Sequence, residues 1–317
     1  MDRNLALELV RVTEAAALAS ARWMGKGDGL SADRAASEAM ALAINSLRIT
    51  GSIVIGERHA ATDLSKGKVV GAGGAIEVDL ALDPLESIDA VAIGRNNAIS
   101  VAAMTDKGTL LAPPVPFMNK IAAGPEAAGA IDIKADPLAN LVNVADAKRK
   151  YVEDLTVCIL DRERHKPLVE KVRSTGARIR LVQDGDIAAS IAVAIPGTGL
   201  DVLMGIGGAN EGVLTAAALK CVGGDFQGQF YVETDEELAA LEEAGAGPRD
   251  KVLTFEDLLG GSHVMFAATG VTNSEILRGV RFHPGGAATF SLVMRSKSGT
   301  VRLIETNHTF DRMPDYS

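Results

Sequence analysis

The chain has 317 residues, enough to bury one large core or two lobes. Its hydrophobic content of 47% with only 4% aromatic residues fits an α/β protein whose interior is aliphatic. The formal net charge of -9 argues against a nucleic-acid partner, because phosphate backbones are bound by an excess of lysine and arginine.

The N-terminal part is predicted to begin with two helices and to continue as a sheet. Apolar residues recur at helical spacing over residues 3–24, and a second helix begins near Ser31 with Asp33 in its first turn. Strands are predicted at residues 52–55, 76–82 and 97–103.

From residue 155 onward, strands and helices alternate. Strands are predicted at residues 156–160, 178–182 and 201–204, and helices at residues 166–173, 187–194 and 212–222. Further strands are predicted at residues 262–268, 289–294 and 300–306. The alternation implies a partly parallel sheet with helices on its faces. A polar link near residue 150 predicts two lobes, residues 1–150 and 151–317, with a substrate cleft between them.

No segment has the pattern of a targeting or membrane element. The N-terminus lacks the basic start and continuous apolar stretch of a secretion signal, and no apolar run is long enough to span a membrane. Cys158 and Cys221 lie in apolar stretches, without the spacing of a zinc site or a disulfide framework. We therefore expect a cytoplasmic protein with no membrane partner.

Carboxylates at strand and helix junctions predict a site for a divalent cation. Asp83 and Glu86 follow a strand that Pro84 is expected to stop, which directs both acids into one small space. Like charges this close repel each other unless a cation joins them. Three further acids lie in similarly polar junctions: Asp33, Glu57 and Glu211. A site built only from oxygen ligands predicts Mg²⁺ or Mn²⁺ and phosphoryl transfer.

Polar side chains also follow three successive strands of the second lobe. Arg162 and Arg164 come after the first, where they could bind a phosphate or form a solvated charged turn. The neighbouring His165 is interpreted as part of that turn or as solvated. Asp184 and Asp186 follow the next strand and could accept hydrogen bonds from sugar hydroxyls. A glycine-rich turn at residues 205–212 follows the third and permits close backbone approach to a ligand.

Several segments spread over nearly the whole sequence occur together in one known family: Asp2-Arg3-Asn4-Leu5-Ala6, Arg11-Val12-Thr13-Glu14-Ala15, Gly25-Lys26-Gly27-Asp28, Val54-Ile55-Gly56-Glu57, Asp83-Pro84-Leu85-Glu86, Asn119-Lys120-Ile121, Asp184-Gly185-Asp186, Gly205-Ile206-Gly207-Gly208 and Ala268-Thr269-Gly270. On these segments the chain resembles the class II fructose-1,6-bisphosphatases of the lithium-sensitive phosphatase superfamily. The resemblance implies a layered α/β/α/β/α sandwich with two sheets.

The resemblance also implies a metal-dependent hydrolysis of a phosphorylated sugar. The implied metal ligands are Asp33, Glu57, Asp83, Glu86 and Glu211, of which the first four are also implied catalytic residues. The implied substrate contacts are Arg162, Arg164, Asp184, Asp186 and Gly208. A homo-oligomer is expected too, because the turn at residues 281–286 lies near subunit contacts in the family.

The chain departs from the family pattern around the expected reaction centre. Where the family has glycine and threonine after the Asp-Pro motif, this chain has Ser87 and Ile88, and a hydrocarbon cannot orient and deprotonate the attacking water. Ser87 is one residue away and substitutes for that threonine only if the turn is rearranged. Phe117 lies where the family has a substrate-binding tyrosine, and Gly29 where a lysine or similar polar residue is usual. Beyond Glu57, an acidic loop of the family is replaced by one that begins Arg58-His59.

Two functions are compatible with this pattern. The first is a sugar-phosphate phosphatase with altered substrate or reduced hydrolysis, which the five matching carboxylates favour. The alternative is a non-hydrolytic sugar-phosphate-binding regulator or a sugar-phosphate isomerase or epimerase, which Ile88 and Arg58 favour.

Overall fold

The computed structural model describes residues 4–56 and 64–312. The chain forms two compact units: the first unit comprises Met1–Leu110 and Gly261–Ser317, and the second unit comprises Leu111–Gly260. This division differs from the boundary expected near residue 150, which lies inside the second unit. The reason is strand pairing, because Phe117–Ala123 pairs with both Val202–Gly208 and Asp225–Tyr231 in one sheet.

The helices and strands are numbered in chain order. The chain starts with α1 (Leu5–Ala21), α2 (Gly29–Asn45), β1 (Thr50–Ile55), β2 (Val69–Val70), β3 (Glu77–Glu86), α3 (Ile88–Ala92) and β4 (Ile99–Asp106). It continues with β5 (Phe117–Ala123), α4 (Pro137–Lys148), β6 (Thr156–Leu160), α5 (Lys166–Ser174), β7 (Arg178–Val182), α6 (Asp186–Ala192), β8 (Val202–Gly208), α7 (Ala209–Val222), β9 (Asp225–Tyr231), α8 (Asp235–Glu243) and α9 (Phe255–Leu259). It ends with β10 (Val264–Gly270), β11 (Arg281–His283), β12 (Gly286–Arg295) and β13 (Thr300–Thr309).

The described part of the first unit contains an eight-stranded mixed sheet. Its strand order is β11-β12-β10-β4-β3-β1-β2, and β13 also pairs with β12. β1 and β3 run parallel, whereas the other pairs are antiparallel. Apolar side chains of α1 and α2 pack with those of the sheet in one core, which includes Leu9, Val12, Met40, Ile44, Leu80 and Met104. The apolar residues that recur at helical spacing in the sequence therefore form the buried faces of α1 and α2.

The second unit is built on a five-stranded mixed sheet with the order β7-β6-β8-β5-β9. β6 runs parallel to β7 and β8, and β5 runs antiparallel to β8 and β9. α4 and α5 pack on this sheet through a core that includes Leu141, Val144, Val157, Ile159 and Val172. The parallel strands place the ends of β6, β7 and β8 at one edge, which is where the sequence predicted polar ligand contacts.

The predicted α/β class with two sheets is confirmed. The strands and helices alternate from β6 to α7 as expected from the sequence. None of the described helices combines the length and apolar character that a membrane crossing requires.

Candidate active site

Asp83 and Glu86 lie at an irregularity near the end of β3. Asp83 pairs with Val101 and Glu86 with Ile99 of the antiparallel β4, so a three-residue step on β3 faces a two-residue step on β4. This is the geometry of a β-bulge, and Pro84, which has no N–H for the ladder, lies within it. The strand therefore continues past the proline, where the sequence predicted that it stops, and carries the half-buried Asp83 and the buried Glu86 at its end.

A third predicted carboxylate, Asp33, is buried on α2. α2 packs against both β3 and α3, the two elements on either side of Ser87. Asp33 and Glu86 are 5% and 6% exposed, and a buried carboxylate needs hydrogen bonds or a cation to offset its lost hydration. Carboxylate oxygens of this kind are the donors that suit Mg²⁺ or Mn²⁺.

The five predicted metal ligands are not all within the described residues. Glu57 lies outside them, together with Arg58 and His59, and Glu211 belongs to the second unit. Within residues 4–56 and 64–312, no group of three or more His, Cys, Asp or Glu side chains is placed to hold a metal ion. The convergence of all five carboxylates on one cation therefore stays a prediction.

Ser87 adopts a left-handed backbone conformation between Glu86 and α3. Its φ and ψ are 71° and 55°, a region that costs a non-glycine residue about 1 to 2 kcal/mol. Its Oγ is buried and makes no hydrogen bond with any residue that the structure describes. Strain and an unmatched hydroxyl at one position are a reason to consider Ser87 for a functional role.

Ile88, the first residue of α3, packs against the start of α2. A Cβ atom built on Gly29 would lie 2.7 Å from Cγ2 of Ile88, well inside the separation at which two carbon atoms attract each other. Position 29 therefore has no room for a side chain unless Ile88 moves. Gly29 and Ile88, which both depart from the family pattern, thus pack against each other.

In the second unit, Arg162 and Asp184 form an ion pair. Nη2 of Arg162 donates to Oδ1 of Asp184 at 2.8 Å. The two residues meet because they follow the adjacent parallel strands β6 and β7. Both side chains are partly exposed, which leaves the guanidinium accessible to an anion.

Arg164 lies over the ring of Phe117, with its guanidinium carbon 5.3 Å from the ring centroid. Its Nη2 donates to the carbonyl oxygen of Ile206 at 2.9 Å. The same arginine lines a cavity of about 560 Å³ in the second unit, together with Asn119 and Arg249. The ring of Phe117, which replaces the family's tyrosine, therefore makes a cation–π contact with Arg164.

Asp186, the first residue of α6, is paired with Lys120, for which no role was predicted from the sequence. Nζ of Lys120 donates to Oδ2 of Asp186 and to the carbonyl oxygen of Gly208, the latter at 3.1 Å. Lys120 is 2% exposed. A lysine in the otherwise mostly apolar strand Phe117–Ala123 was the signal that could have identified it.

Glu211 and Gly208 share the turn between β8 and α7. Glu211 lies in the first turn of α7, and Gly208 is the last residue of β8. A Cβ atom on Gly208 would lie 1.8 Å from Oε2 of Glu211. A predicted metal ligand and a predicted substrate contact are thus adjacent, and position 208 has no room for a side chain unless Glu211 moves.

His165 is buried in the turn after β6, so of its two interpretations, part of that turn or solvated, the second is wrong. Its Nε2 accepts from the N–H of Ile206 at 2.8 Å, so its Nδ1 carries the proton and donates to the carbonyl oxygen of Leu160 at 2.7 Å. Burial lowers the pKa of His165 below its ordinary value of 6.5, and Arg164 and Arg162 lower it further, although the bond to Leu160 acts in the opposite direction. His165 therefore holds the turn after β6 against β8 as a neutral ring.

This neutral histidine predicts a loss of stability at acidic pH. Because the folded pKa lies below the unfolded value, the unfolded chain binds the proton more readily. The free energy of unfolding should fall as the pH drops below about 6.5. Urea unfolding of the wild type and of His165→Gln across this pH range measures the effect, with exposed His283→Gln as the control. An unchanged pH dependence in His165→Gln would contradict the prediction.

Comparison with known proteins gives one consistent result. Residues 3–308 match the family model described as bacterial fructose-1,6-bisphosphatase, glpX-encoded. The chain is 42% identical over 337 residues to the D-fructose 1,6-bisphosphatase class 2/sedoheptulose 1,7-bisphosphatase of Synechococcus sp. (strain JA-2-3B'a(2-13)), covering 98% of this chain and 97% of that protein. It is also 42% identical over 342 residues to the protein of the same description from Microcystis aeruginosa (strain NIES-843 / IAM M-2473), covering 100% of this chain and 99% of that protein.

Proposed function

Because the chain belongs to the bacterial, glpX-encoded fructose-1,6-bisphosphatase family, we propose that it hydrolyses a phosphoric monoester of a sugar bisphosphate. Fructose 1,6-bisphosphate and sedoheptulose 1,7-bisphosphate are the first candidates, since the relatives' names state both. One structural observation supports the proposal most directly, namely the groups at the ends of β6 and β7. There the Arg162 guanidinium suits a phosphate and the neighbouring carboxylates suit sugar hydroxyls.

The proposed reaction depends on Mg²⁺ or Mn²⁺. Asp33, Asp83 and Glu86 would supply only part of the ligand set, because the described carboxylates do not by themselves form a group that could hold a metal ion. Glu57 and Glu211 are the further predicted ligands. A bound divalent cation supplies charge stabilisation at the phosphoryl oxygens and lowers the pKa of bound water. The buried carboxylates on α2 and at the β3 bulge support this assignment through their all-oxygen chemistry.

Within this mechanism, we assign Ser87 the role of orienting the attacking water. Ile88 has no group that accepts or donates a hydrogen bond, whereas Oγ of Ser87 is buried directly after Glu86 and makes no hydrogen bond among the described residues. A hydroxyl displaced by one residue is expected to act less well than the family's threonine. Hydrolysis is therefore proposed to be slower than in relatives that have the threonine.

Two substitutions at Ser87 separate strain from chemistry. Ser87→Gly removes the left-handed strain and should raise the free energy of unfolding by about 1 kcal/mol, while Ser87→Ala should give no such gain. Both lack the hydroxyl, so both should lower kcat by about 10-fold or more. Urea unfolding and steady-state kinetics measure the two effects. Full activity in both variants would exclude Ser87 from the mechanism.

A second candidate function, binding or isomerisation without hydrolysis, rests on the packing of Ile88 against Gly29. This contact keeps a hydrocarbon beside the bulge that carries Asp83 and Glu86. Phosphorus and proton NMR of the protein with each sugar bisphosphate and the diamagnetic Mg²⁺ distinguishes the functions. Free phosphate supports the phosphatase, an altered sugar with its phosphates intact supports the isomerase, and an unchanged but bound sugar supports the regulator.

A further inference from the structure

Lys120 is a buried cation to which the proposed reaction gives no task. Its ammonium contacts Oδ2 of Asp186 at the start of α6 and donates to the carbonyl oxygen of Gly208 at the end of β8. One group on β5 therefore joins the two elements that carry two of the predicted sugar contacts. The lysine contacts Oδ2 of that carboxylate, so the second oxygen, Oδ1 of Asp186, is not used by the ion pair.

Two glycines make the space for this lysine. A Cβ atom on Gly207 would lie 2.2 Å from Oδ2 of Asp186 and 2.8 Å from Nζ of Lys120. A Cβ atom on Gly212 would lie 3.2 Å from Cδ of Lys120. The glycine-rich turn at residues 205–212, expected from the sequence to admit a ligand, thus accommodates a side chain of the protein itself.

A contribution to folding stability does not by itself explain the buried ion pair of Lys120 and Asp186. A buried ion pair loses the hydration of both charges and is often no more stabilising than apolar side chains of similar volume. β5 is otherwise rich in such side chains, including Met118 and Ile121. The pair does fix the position of the Asp186 carboxylate. The Lys120 ammonium that contacts this carboxylate is itself held by the backbone carbonyl of Gly208.

We propose that Lys120 is a positioning residue for the sugar. It fixes Asp186 so that Oδ1 accepts a hydrogen bond from a sugar hydroxyl, and Lys120 itself does not touch the sugar. This inference rests on the proposed function, because it takes Asp186 as a sugar contact. A carboxylate held in this way accepts hydrogen bonds and donates none, so it selects a hydroxyl group at that place on the ligand.

The test compares two lysine variants in the full chain. Lys120→Met removes the ammonium, and Lys148→Met makes the same change in a second buried pair, Lys148 with Asp201, at the opposite end of β8. Calorimetric titration with fructose 1,6-bisphosphate and with sedoheptulose 1,7-bisphosphate gives Kd, and steady-state kinetics give KM and kcat. Lys120→Met should raise Kd and KM by about 10- to 100-fold with a smaller change in kcat. Lys148→Met should keep the wild-type Kd, whatever its effect on thermal stability.

A double variant keeps the test decisive if Lys120→Met does not fold. Lys120→Met with Asp186→Asn removes both charges and should bind each sugar as Asp186→Asn alone does, because the lysine acts only through the aspartate. Weaker binding by the double variant, or wild-type Kd in Lys120→Met, would overturn the inference. If the wild type binds a sugar without releasing phosphate, the proposed function fails while the binding series still decides the role of Lys120. If it binds neither sugar, the inference fails, and phosphate release from another ester would leave the proposed hydrolysis standing.

Discussion

Glu86→Gln is expected to lower kcat by about 100-fold or more, because the amide keeps the volume of the side chain but removes the charge that a divalent cation requires. Glu86 is 6% exposed at the end of β3, so a ligand from the solvent does not readily take the place of its carboxylate. Phosphate release from fructose 1,6-bisphosphate, measured over a range of Mg²⁺ and Mn²⁺ concentrations, should show that the variant needs more metal for half-maximal activity.

Glu77→Gln is the matched control for this prediction. Glu77 begins the same strand and is exposed, so the identical change there should alter neither kcat nor the metal requirement. Wild-type kcat and metal dependence in Glu86→Gln would contradict the assignment of Glu86 as a metal ligand.

Ile88→Thr is expected to raise kcat by about 10-fold or more, since it restores a hydroxyl at the position where the family pattern has one. Threonine retains the Cγ2 methyl that contacts Gly29, so the packing of α3 on α2 should be kept. The gain should appear in kcat with little change in KM, because the hydroxyl acts on the water and not on the sugar.

Ile88→Val provides the control for shape. Valine has the branched form of threonine without the hydroxyl, so it should keep the same methyl contact with Gly29 and show no gain in kcat. Equal rates for the threonine and valine variants would show that the missing hydroxyl does not limit hydrolysis.

The sequence predicted the α/β class because apolar spacing and strand-helix alternation are local signals. The family and the enzyme class, a phosphoric monoester hydrolase, are confirmed by the full-length match. The positions of Arg162 and Asp184 after neighbouring strands also followed from sequence, although their ion pair was not predicted. The division into these two units did not follow from sequence, because the pairing of β5 with β8 and β9 joins segments far apart in the chain.

The contacts that sequence alone did not reveal are those made by side chains across long separations. Lys120 appeared only as part of a shared motif, and its partner Asp186 lies on another element. The contact of Ile88 with Gly29 likewise depends on how α3 packs against α2. The local sequence around Lys120 and around Ile88 does not indicate which residues they contact.

The most direct test of the proposed function is phosphate release from fructose 1,6-bisphosphate by the full chain, with Mg²⁺ or Mn²⁺ and again after chelation with EDTA. We predict release that requires the added metal and stops when it is chelated. No release at high enzyme concentration with either metal, from this sugar or from sedoheptulose 1,7-bisphosphate, would contradict the proposed hydrolysis.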